Sequence, residues 1–458
     1  MIGLKAVISN DIRIRDIPTS LKNELEHMLT FPNPEYQKKS RMGFYTGNTP
    51  KKILLYERED DELILPYGMM DHLPEGMYDF RDNEEVDYET NIPLRDYQQK
   101  ALNNLLIKGH GILQAPAGSG KTRTAIALIT KWKCKTLWIC HTKDLVIQAK
   151  RAAEEFIDPS LTGTIMEGKV DISRGITFAT IQTAANMDLI KHRYDWDLII
   201  VDECHRVSGS PTMLTRYQKV LNNLSARHKY GLSATVHRAD GLEKCIFALI
   251  GNVACVIPEE AVADNIMKVG ILPVGTGTQI SREVLNTDGT LNYTKLINYL
   301  VKVPDRNGMI LQELKNRRGH SCLILSDRVR HLEKMISMLP EDMKKDAALI
   351  TGKMTSKKGK AQREQAIEDM RSGKKKYLFA SYSLAKEGLD IPRLDSLFLT
   401  TPVKDYAVVT QSIGRIARVF PEKENPVCYD FVDDIGYCVR AYKKRCATYR
   451  KNACLFLD

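Results

Sequence analysis

No uninterrupted apolar run in the chain approaches the ~18 residues that a bilayer-spanning helix needs. The first segment, MIGLKAVISNDIRIRDIP, interrupts its apolar residues with charge too often for the core of a secretory leader. CxxC pairs are missing as well. The ten cysteines are scattered, and several lie inside apolar runs, as Cys140 does in TLWIC and Cys322 in HSCLIL. Cys428, Cys438, Cys446 and Cys454 crowd the C-terminus at intervals too wide and irregular for a common zinc site. A disulfide framework is thereby excluded, and reduced thiols are expected. Short-period repeats and low-complexity tracts are also lacking. These absences predict a soluble, cytoplasmic chain with no membrane partner.

What is present is ordinary globular material. The 458 residues correspond to roughly three domains at ~150 residues each. Apolar residues make up 43% and charged residues 27%, which excludes wholesale disorder. Lys plus Arg number 67 against 57 Asp plus Glu, a net charge of +10. That excess is spread along the chain, so it permits a polyanionic partner without requiring one.

Residues 1–90 read as a small β-rich accessory domain. Pro, Gly and aromatics punctuate short alternating runs such as KKILLYE and ELILP, with one helix near 17–29. The acidic stretch DFRDNEEVDYETN reads as an exposed linker. From residue 91 to 260, compact apolar strands (GILQA, TLWIC, GITFA, DLIIVDE, KYGLSAT) alternate with helical periods, which indicates a parallel sheet covered on both faces. The pattern weakens over 261–310, an expected irregular connector. It resumes over 311–458 as CLILS, AALIT, KYLFAS, SLFLTT and VCYDFV. The fold class is α/β, with two tandem parallel-sheet lobes behind the accessory domain.

GILQAPAGSGKT, residues 111–122, carries the strongest chemical signal. An apolar strand enters a loop of small residues (Ala115, Pro116, Ala117, Gly118, Ser119, Gly120), and Lys121 and Thr122 open a helix. Small residues let backbone N–H groups turn inward around phosphates, and the helix N-terminus adds partial positive charge. Lys121 can reach the β- and γ-phosphates, and the Thr122 hydroxyl can ligate Mg²⁺, so ATP and Mg²⁺ are the expected cofactors. Ala115 stands where the usual pattern has its first Gly. DLIIVDECH supplies Asp202 as the Mg²⁺ partner and Glu203 as the residue polarising water, at the end of a buried strand. A solvated Asp-Glu pair is the plainer alternative; its position behind a phosphate loop argues against it.

APAGSGKT, DECH, GLSAT and QSIGRIAR, in that order, resemble motifs I, II, III and VI of superfamily 2 helicases of the DExH kind, over about residues 92–435. LRDYQ is similar to the motif upstream of the phosphate loop, and the resemblance implies nucleotide roles for Arg95 and Gln98, with Gln98 reading adenine. ASYSLAKEGLDIP resembles motif V, which implies that Gly388 and Asp390 approach the nucleotide. GLSATVHRADG most resembles the XPB-like and phage UvsW-like branch, whose members remodel forked and branched DNA. The family's fold is two RecA-like lobes that sandwich ATP. It implies that Gln411, Arg415 and Arg418 serve the γ-phosphate from the second lobe, the two arginines sharing one helix face. It also implies that His205, Ser233 and Thr235 couple nucleotide state to movement, local turn bonds being the alternative.

LWICHTKDL and FATIQT resemble polymer-contacting motifs, and a strand can be gripped through its phosphates without sequence preference. Candidates are His141, Thr142, Lys143, Thr180, Gln182 and Thr183 in the first lobe. Ser326, Arg328, Thr351, Gly352 and Ser381 are the candidates in the second. In the accessory domain Lys38, Lys39, Arg41, Lys51 and Lys52 flank Tyr36, Phe44, Tyr45 and Tyr56, which suits duplex or junction binding. The alternative is that those aromatics form the small domain's own core. The expected function is an ATP-dependent DNA helicase or translocase acting on forked, branched or duplex DNA in replication, recombination or repair, beside recombination or replication proteins. A phage-encoded chain would work in the bacterial host cytoplasm. An RNA helicase, or a duplex translocase serving a partner nuclease, stands as the alternative, since no nuclease constellation is visible.

Overall fold

The structure is a computed structural model that describes residues 5–73, 77–80, 83–116, 118–208, 211–236, 241–352, 354, 356–386, 389 and 391–457. It divides into two compact units, Met1–Ala261 and Val262–Asp458. No helix among the described residues is long and apolar enough to cross a membrane.

The first unit is built on an eight-stranded sheet. Its order is Lys169–Asp171, Thr162–Met166, Ile176–Thr180, Thr136–Cys140, Leu198–Asp202, His228–Ser233, Gly111–Gln114, Val253–Val256. All pairings are parallel except the first. The strands Thr136–Cys140 and Ile176–Thr180 are buried at every residue, which is why their sequences are continuously apolar or Thr rather than alternating. Helix Lys121–Trp132 covers the sheet with Thr124–Ile129, each buried; every Leu or Ile placed there contributes about 1.5–3 kcal/mol.

Five strands ahead of this sheet form a smaller one, ordered Glu57–Glu59, Glu62–Pro66, Asp11–Arg15, Lys5–Ile8, Met77–Tyr78. Its helix is Thr19–Met28, near the expected span. Ile12, Ile14 and Leu65 belong to the same apolar cluster as Ile199 and Ile246 of the large sheet and its helices, so the two sheets share one core. Polar contacts stitch the seam. Tyr67 Oη donates to Arg227 O (2.6 Å), and Lys229 Nζ donates to Asn10 O (3.0 Å) and Leu221 O (2.7 Å). Gly68 lies against helix Glu243–Ile250 so closely that a Cβ would sit 2.2 Å from Phe247 O, which only glycine permits.

The acidic stretch after this module is not the exposed linker expected from its charge. Val86 and Tyr88 are buried, Val86 N donates to Lys133 O (2.8 Å), and Tyr88 Oη donates to Cys134 O (2.8 Å). Alternation of apolar and acidic residues lets one face pin to the first unit while the carboxylates stay wet.

The second unit carries a seven-stranded sheet, ordered Ala347–Ile350, Tyr377–Ser381, Cys322–Ser326, Ser396–Leu399, Val427–Val432, Gly270–Gly275, Leu455–Phe456. All its pairings are parallel. The stretch read as an irregular connector therefore supplies a strand, Gly270–Gly275, and also helices Tyr293–Leu300 and most of Pro304–Asn316. Pro273 hid that strand. Leu455–Phe456 pairs only with Gly270 and Ile271, so Pro273 sits where one edge needs no donor. Arg306 anchors this segment: its Nε donates to Asp433 Oδ1 (2.6 Å) with both side chains fully buried, and Nη2 donates to Thr400 O (2.8 Å).

Candidate active site

Parallel register brings the ends of several strands to one edge of the first sheet. Thr180 pairs with Cys140, Asp202 with Leu232, and Ser233 with Gln114, so the loops after these strands emerge side by side. The phosphate loop is one of them. Gly118 and Gly120 have φ of 81° and 76°, backbone that suits glycine. Ala115 is buried and donates its N–H to Ser233 O (3.0 Å), tying the loop's root to the neighbouring strand. Ser119 is fully buried, and its hydroxyl has no hydrogen-bond partner among the described residues. Pro116 is half-buried, and Ala117 lies outside the described residues.

Lys121 Nζ donates to Ala115 O (3.0 Å) and Pro116 O (3.3 Å), across the mouth of its own loop. Phosphate oxygens would offer stronger, charge-assisted bonds in exchange. Thr122 stands beside it in the helix's first turn. Asp202 closes strand Leu198–Asp202, and its carboxyl is pushed above the ordinary carboxylate range by desolvation and then by the Glu203 charge, with Lys121 opposing. Glu203 adopts φ +48°, uncommon for a residue with a side chain, and its N–H turns back to Asp202 Oδ1 (2.9 Å). Among the described residues no three His, Cys, Asp or Glu side chains gather as a metal cage. One half-buried carboxylate and one hydroxyl beside a phosphate loop instead fit Mg²⁺, which keeps waters and shares its shell with substrate phosphates.

The turn after Glu203 is wired to the next strand. His205 Nδ1 lies 3.1 Å from Ser233 Oγ and 3.2 Å from Glu203 Oε2. Ser233 Oγ donates to Thr235 O (2.6 Å) and accepts from Thr235 N (3.2 Å), so its one proton is committed. It then accepts from His205, which assigns the imidazole proton to Nδ1.

Gln98 has a task that sequence reasoning did not find. Its side chain is 2% exposed; Oε1 accepts from Arg95 N (3.0 Å) and Nε2 donates to Ser119 O (2.9 Å). A Cβ on Gly120 would lie 2.3 Å from that Nε2. Gln98 thus braces the phosphate loop against the start of helix Asp96–Lys108, while Arg95 stays exposed, one guanidinium N–H donating to Tyr97 Oη (3.0 Å). The capping position of Gln98, three residues after Arg95, was the available signal.

The polymer candidates divide. His141 follows Cys140, and burial first, then the neighbouring Arg206, holds its imidazole below the ordinary histidine value. Gln182 Nε2 donates to His141 O (3.0 Å), joining two adjacent loops. Thr142 caps helix Lys143–Glu154, Lys143 pairs with Glu167 (3.1 Å), and Thr180 Oγ1 donates to Thr183 Oγ1 (3.0 Å). In the second unit, Arg328 is held by Asn298 Oδ1 (2.9 Å), Gly352 is exposed, and Ser381 bonds Ser383 (2.9 Å). Thr351 is buried. Ser326 is fully buried as well, bonded to His331 Nδ1 (3.0 Å) and Arg328 N (3.2 Å), so its hydroxyl organises a loop and is not presented to solvent.

Arg415 and Arg418 do not share a helix face. The helix Tyr406–Ile416 holds Gln411 and Arg415 one turn apart, but Ala417 caps it and Arg418 lies beyond. Met267 N takes the Ala417 carbonyl (2.7 Å), and Ile266 forms an antiparallel bridge with Arg418. With that competing pairing beyond it, the helix ends at Ile416, two residues before Arg418. Gly388 and Asp390 lie outside the described residues.

Comparison with known proteins places helicase family models on both units. Residues 91–238 match the family model Type III restriction enzyme, res subunit, and residues 305–420 match the Helicase conserved C-terminal domain, so the chain carries helicase ATPase domains. A putative ATP-dependent RNA helicase of Acanthamoeba polyphaga mimivirus is 28% identical over 349 residues, 74% of this chain. The match spans 64% of that relative's length, under two thirds. DNA 3'-5' translocase XPB2 of Sulfurisphaera tokodaii is 24% identical over 371 residues, 73% of this chain and 80% of that protein. The structure of S. cerevisiae Dbp5 bound to RNA and ADP BeF3 covers 79% of this chain and 89% of its own, at TM-score 0.57 and 17% identity, a likeness of fold alone.

Proposed function

We propose that this chain, a superfamily 2 helicase of the DExH kind, hydrolyses ATP to unwind or branch-migrate forked and branched DNA in replication, recombination or repair. The observation that carries the reading is the convergence, at one sheet edge, of the phosphate loop, the Asp202–Glu203 turn and the His205–Ser233 contact. Lys121 leaves its loop carbonyls for phosphate oxygens, and the loop's N–H groups hold the chain of phosphates. Glu203 polarises the attacking water, while the half-buried turn keeps bulk solvent from competing. Mg²⁺, held by Thr122 and Asp202 largely through water, would supply the charge that neutralises the phosphates. On the family resemblance, Gln411, Arg415, Arg418, Gly388 and Asp390 act on the same nucleotide. His205 and Ser233 report nucleotide state to the neighbouring strand.

DNA is preferred because GLSATVHRADG resembles the XPB-like branch and the XPB2 relative is named as a DNA translocase. RNA is the second reading, favoured by the name of the mimivirus relative. A duplex translocase working with a partner nuclease is the third, favoured by the restriction-subunit family model. One experiment separates them. ATP hydrolysis and strand separation are measured with single-stranded DNA, blunt duplex, forks, four-way junctions and RNA, beside Lys121→Ala and Glu203→Gln. Strongest stimulation by forks or junctions, with strand separation, supports the proposal. Preferential stimulation by RNA overturns the choice of DNA, and stimulation by duplex without separation makes the chain a translocase.

A further inference from the structure

The helix Pro34–Arg41 buries none of its residues, and the turn after it carries Tyr45, the most exposed aromatic side chain among the described residues. Gly43, at φ +66°, ends the helix: its N–H bonds Ser40 O (3.2 Å) and Phe44 N bonds Lys39 O (2.9 Å). Those two bonds make a Schellman turn, in which the residue after the glycine ordinarily tucks its apolar side chain against the helix. Here it does not. Phe44 is 60% exposed, Tyr45 92% and Met42 56%.

The segment is nonetheless ordered. Asn33 N bonds Lys51 O (3.0 Å), its Nδ2 bonds Pro50 O (2.9 Å), and Lys39 Nζ bonds Thr49 Oγ1 (2.8 Å), closing the loop at its base. Phe31 and Leu55, on either side, are buried in the core shared with the ATPase sheet. The tip is therefore presented on a fixed base.

Charge identifies what it fits. Residues 33–54 hold five cations (Lys38, Lys39, Arg41, Lys51, Lys52) and one carboxylate, Glu35. Glu35 is paired with Lys39 (2.8 Å), and Lys51 stands over the Tyr36 ring (5.8 Å). Lys38, Arg41 and Lys52 are exposed and make no ion pair with any described residue. Three apolar side chains, at about 150–250 Å² each, fall short of the ~800 Å² a stable protein interface takes from one partner. They match one or two nucleobases. A duplex buries its base faces in the stack, so exposed rings suit unpaired bases.

We propose that Phe44 and Tyr45 form a stacking site for unpaired nucleobases, with Lys38, Arg41 and Lys52 taking the flanking phosphates. The inference rests on the reading of the chain as a nucleic-acid motor. It names the feature of the substrate, single-stranded arms at a fork, that the N-terminal module recognises.

The full chain tests it by fluorescence anisotropy with a labelled fork bearing unpaired arms and a blunt duplex of the same sequence. In Phe44→Ala/Tyr45→Ala, fork affinity should fall by roughly 5- to 150-fold for each base stacked. Duplex affinity and the ATPase rate without nucleic acid should stay within twofold. Lys38→Gln/Arg41→Gln should weaken both ligands and flatten the salt dependence. Unchanged fork affinity in the aromatic variant, or an equal loss on fork and duplex, overturns the stacking site. If the unaltered chain binds neither fork nor duplex and its ATPase ignores both, the motor reading itself has failed, a distinct result. The substituted rings are exposed, so unchanged tryptophan fluorescence serves as the folding control.

Discussion

Lys229 offers a quantitative test of how the N-terminal module is joined to the ATPase sheet. Its side chain is fully buried, and burial pulls the ammonium down to about 7 from an ordinary 10.5, with Asp11 opposing. Two carbonyls, Asn10 O and Leu221 O, accept from Nζ, and the Tyr67 ring lies 4.5 Å below it. The unfolded chain keeps the proton up to about pH 10, whereas the folded chain releases it near pH 7. Between those values the unfolded state binds more protons, so stability rises with pH. Below the folded value the buried ammonium exerts its full penalty. At about 1.4 kcal/mol per unit, the relief sums to roughly 4–5 kcal/mol by pH 10, a ceiling because the ring face and carbonyls favour the cation. All three tryptophans, Trp132, Trp138 and Trp196, lie in the first unit, so their fluorescence during urea unfolding reads that unit alone. The measured quantity is the stability of the natural chain minus that of Lys229→Met, followed from about pH 6.5 to 9.5. It should climb by about 3 kcal/mol or somewhat less over that span. A flat or falling difference would refute the placement of a titrating lysine at this seam.

Three further outcomes follow from the site. Lys121→Ala and Glu203→Gln should each lower the stimulated ATPase rate by about 100-fold or more, with nucleic-acid binding retained; a rate within tenfold of the natural chain would remove them from catalysis. Gln98→Leu removes both of its hydrogen bonds and should raise KM for ATP and GTP by the same factor, about 5- to 10-fold for the loss of the one that reaches the loop at Ser119; a loss confined to ATP would make it a base reader. Ser326→Ala should lower the second unit's unfolding midpoint, through the His331 Nδ1 it leaves without its partner, while leaving single-strand affinity within twofold; a clear loss of affinity would return the hydroxyl to the polymer's path.

The fold around the candidate nucleotide site was legible because the proposed chemistry constrains sequence and backbone together. A loop that wraps phosphates needs small residues at fixed spacing, and the buried strands feeding it must be continuously apolar, so GILQAPAGSGKT and DLIIVDECH declare the fold and nominate the site. Where the sequence misled, long-range pairing had overridden a local signal. Arg418 was assigned by helical period, but Ile266 and Met267, some 150 residues upstream in the chain, capture the backbone around it. Ser326 follows a strand as a polymer contact would, yet His331 and Asn307, themselves bonded (3.0 Å), draw it inward. Charge hid the buried Val86 and Tyr88, and Pro273 with its flanking glycines hid a strand. None of these partners is announced by composition.

The shared core also decides how the N-terminal module must be studied. Removing residues 1–90 would strip Ile12, Ile14, Leu65 and Tyr67 from the cluster that contains Ile246 and Leu249, leaving that apolar helix face in water. It would take away the Asn10 carbonyl that accepts from Lys229 and the Gly68 backbone packed on Phe247. Exposing even four such side chains costs on the order of 6–12 kcal/mol, comparable to the whole stability of a domain. The truncated chain should therefore aggregate or show lowered tryptophan-reported stability, and its loss of fork binding would say nothing about the tip. Substitutions at Phe44 and Tyr45 leave that core intact. A truncation that stayed folded, with an unchanged urea midpoint, would mean that the seam contributes little and that the module is an appendage after all.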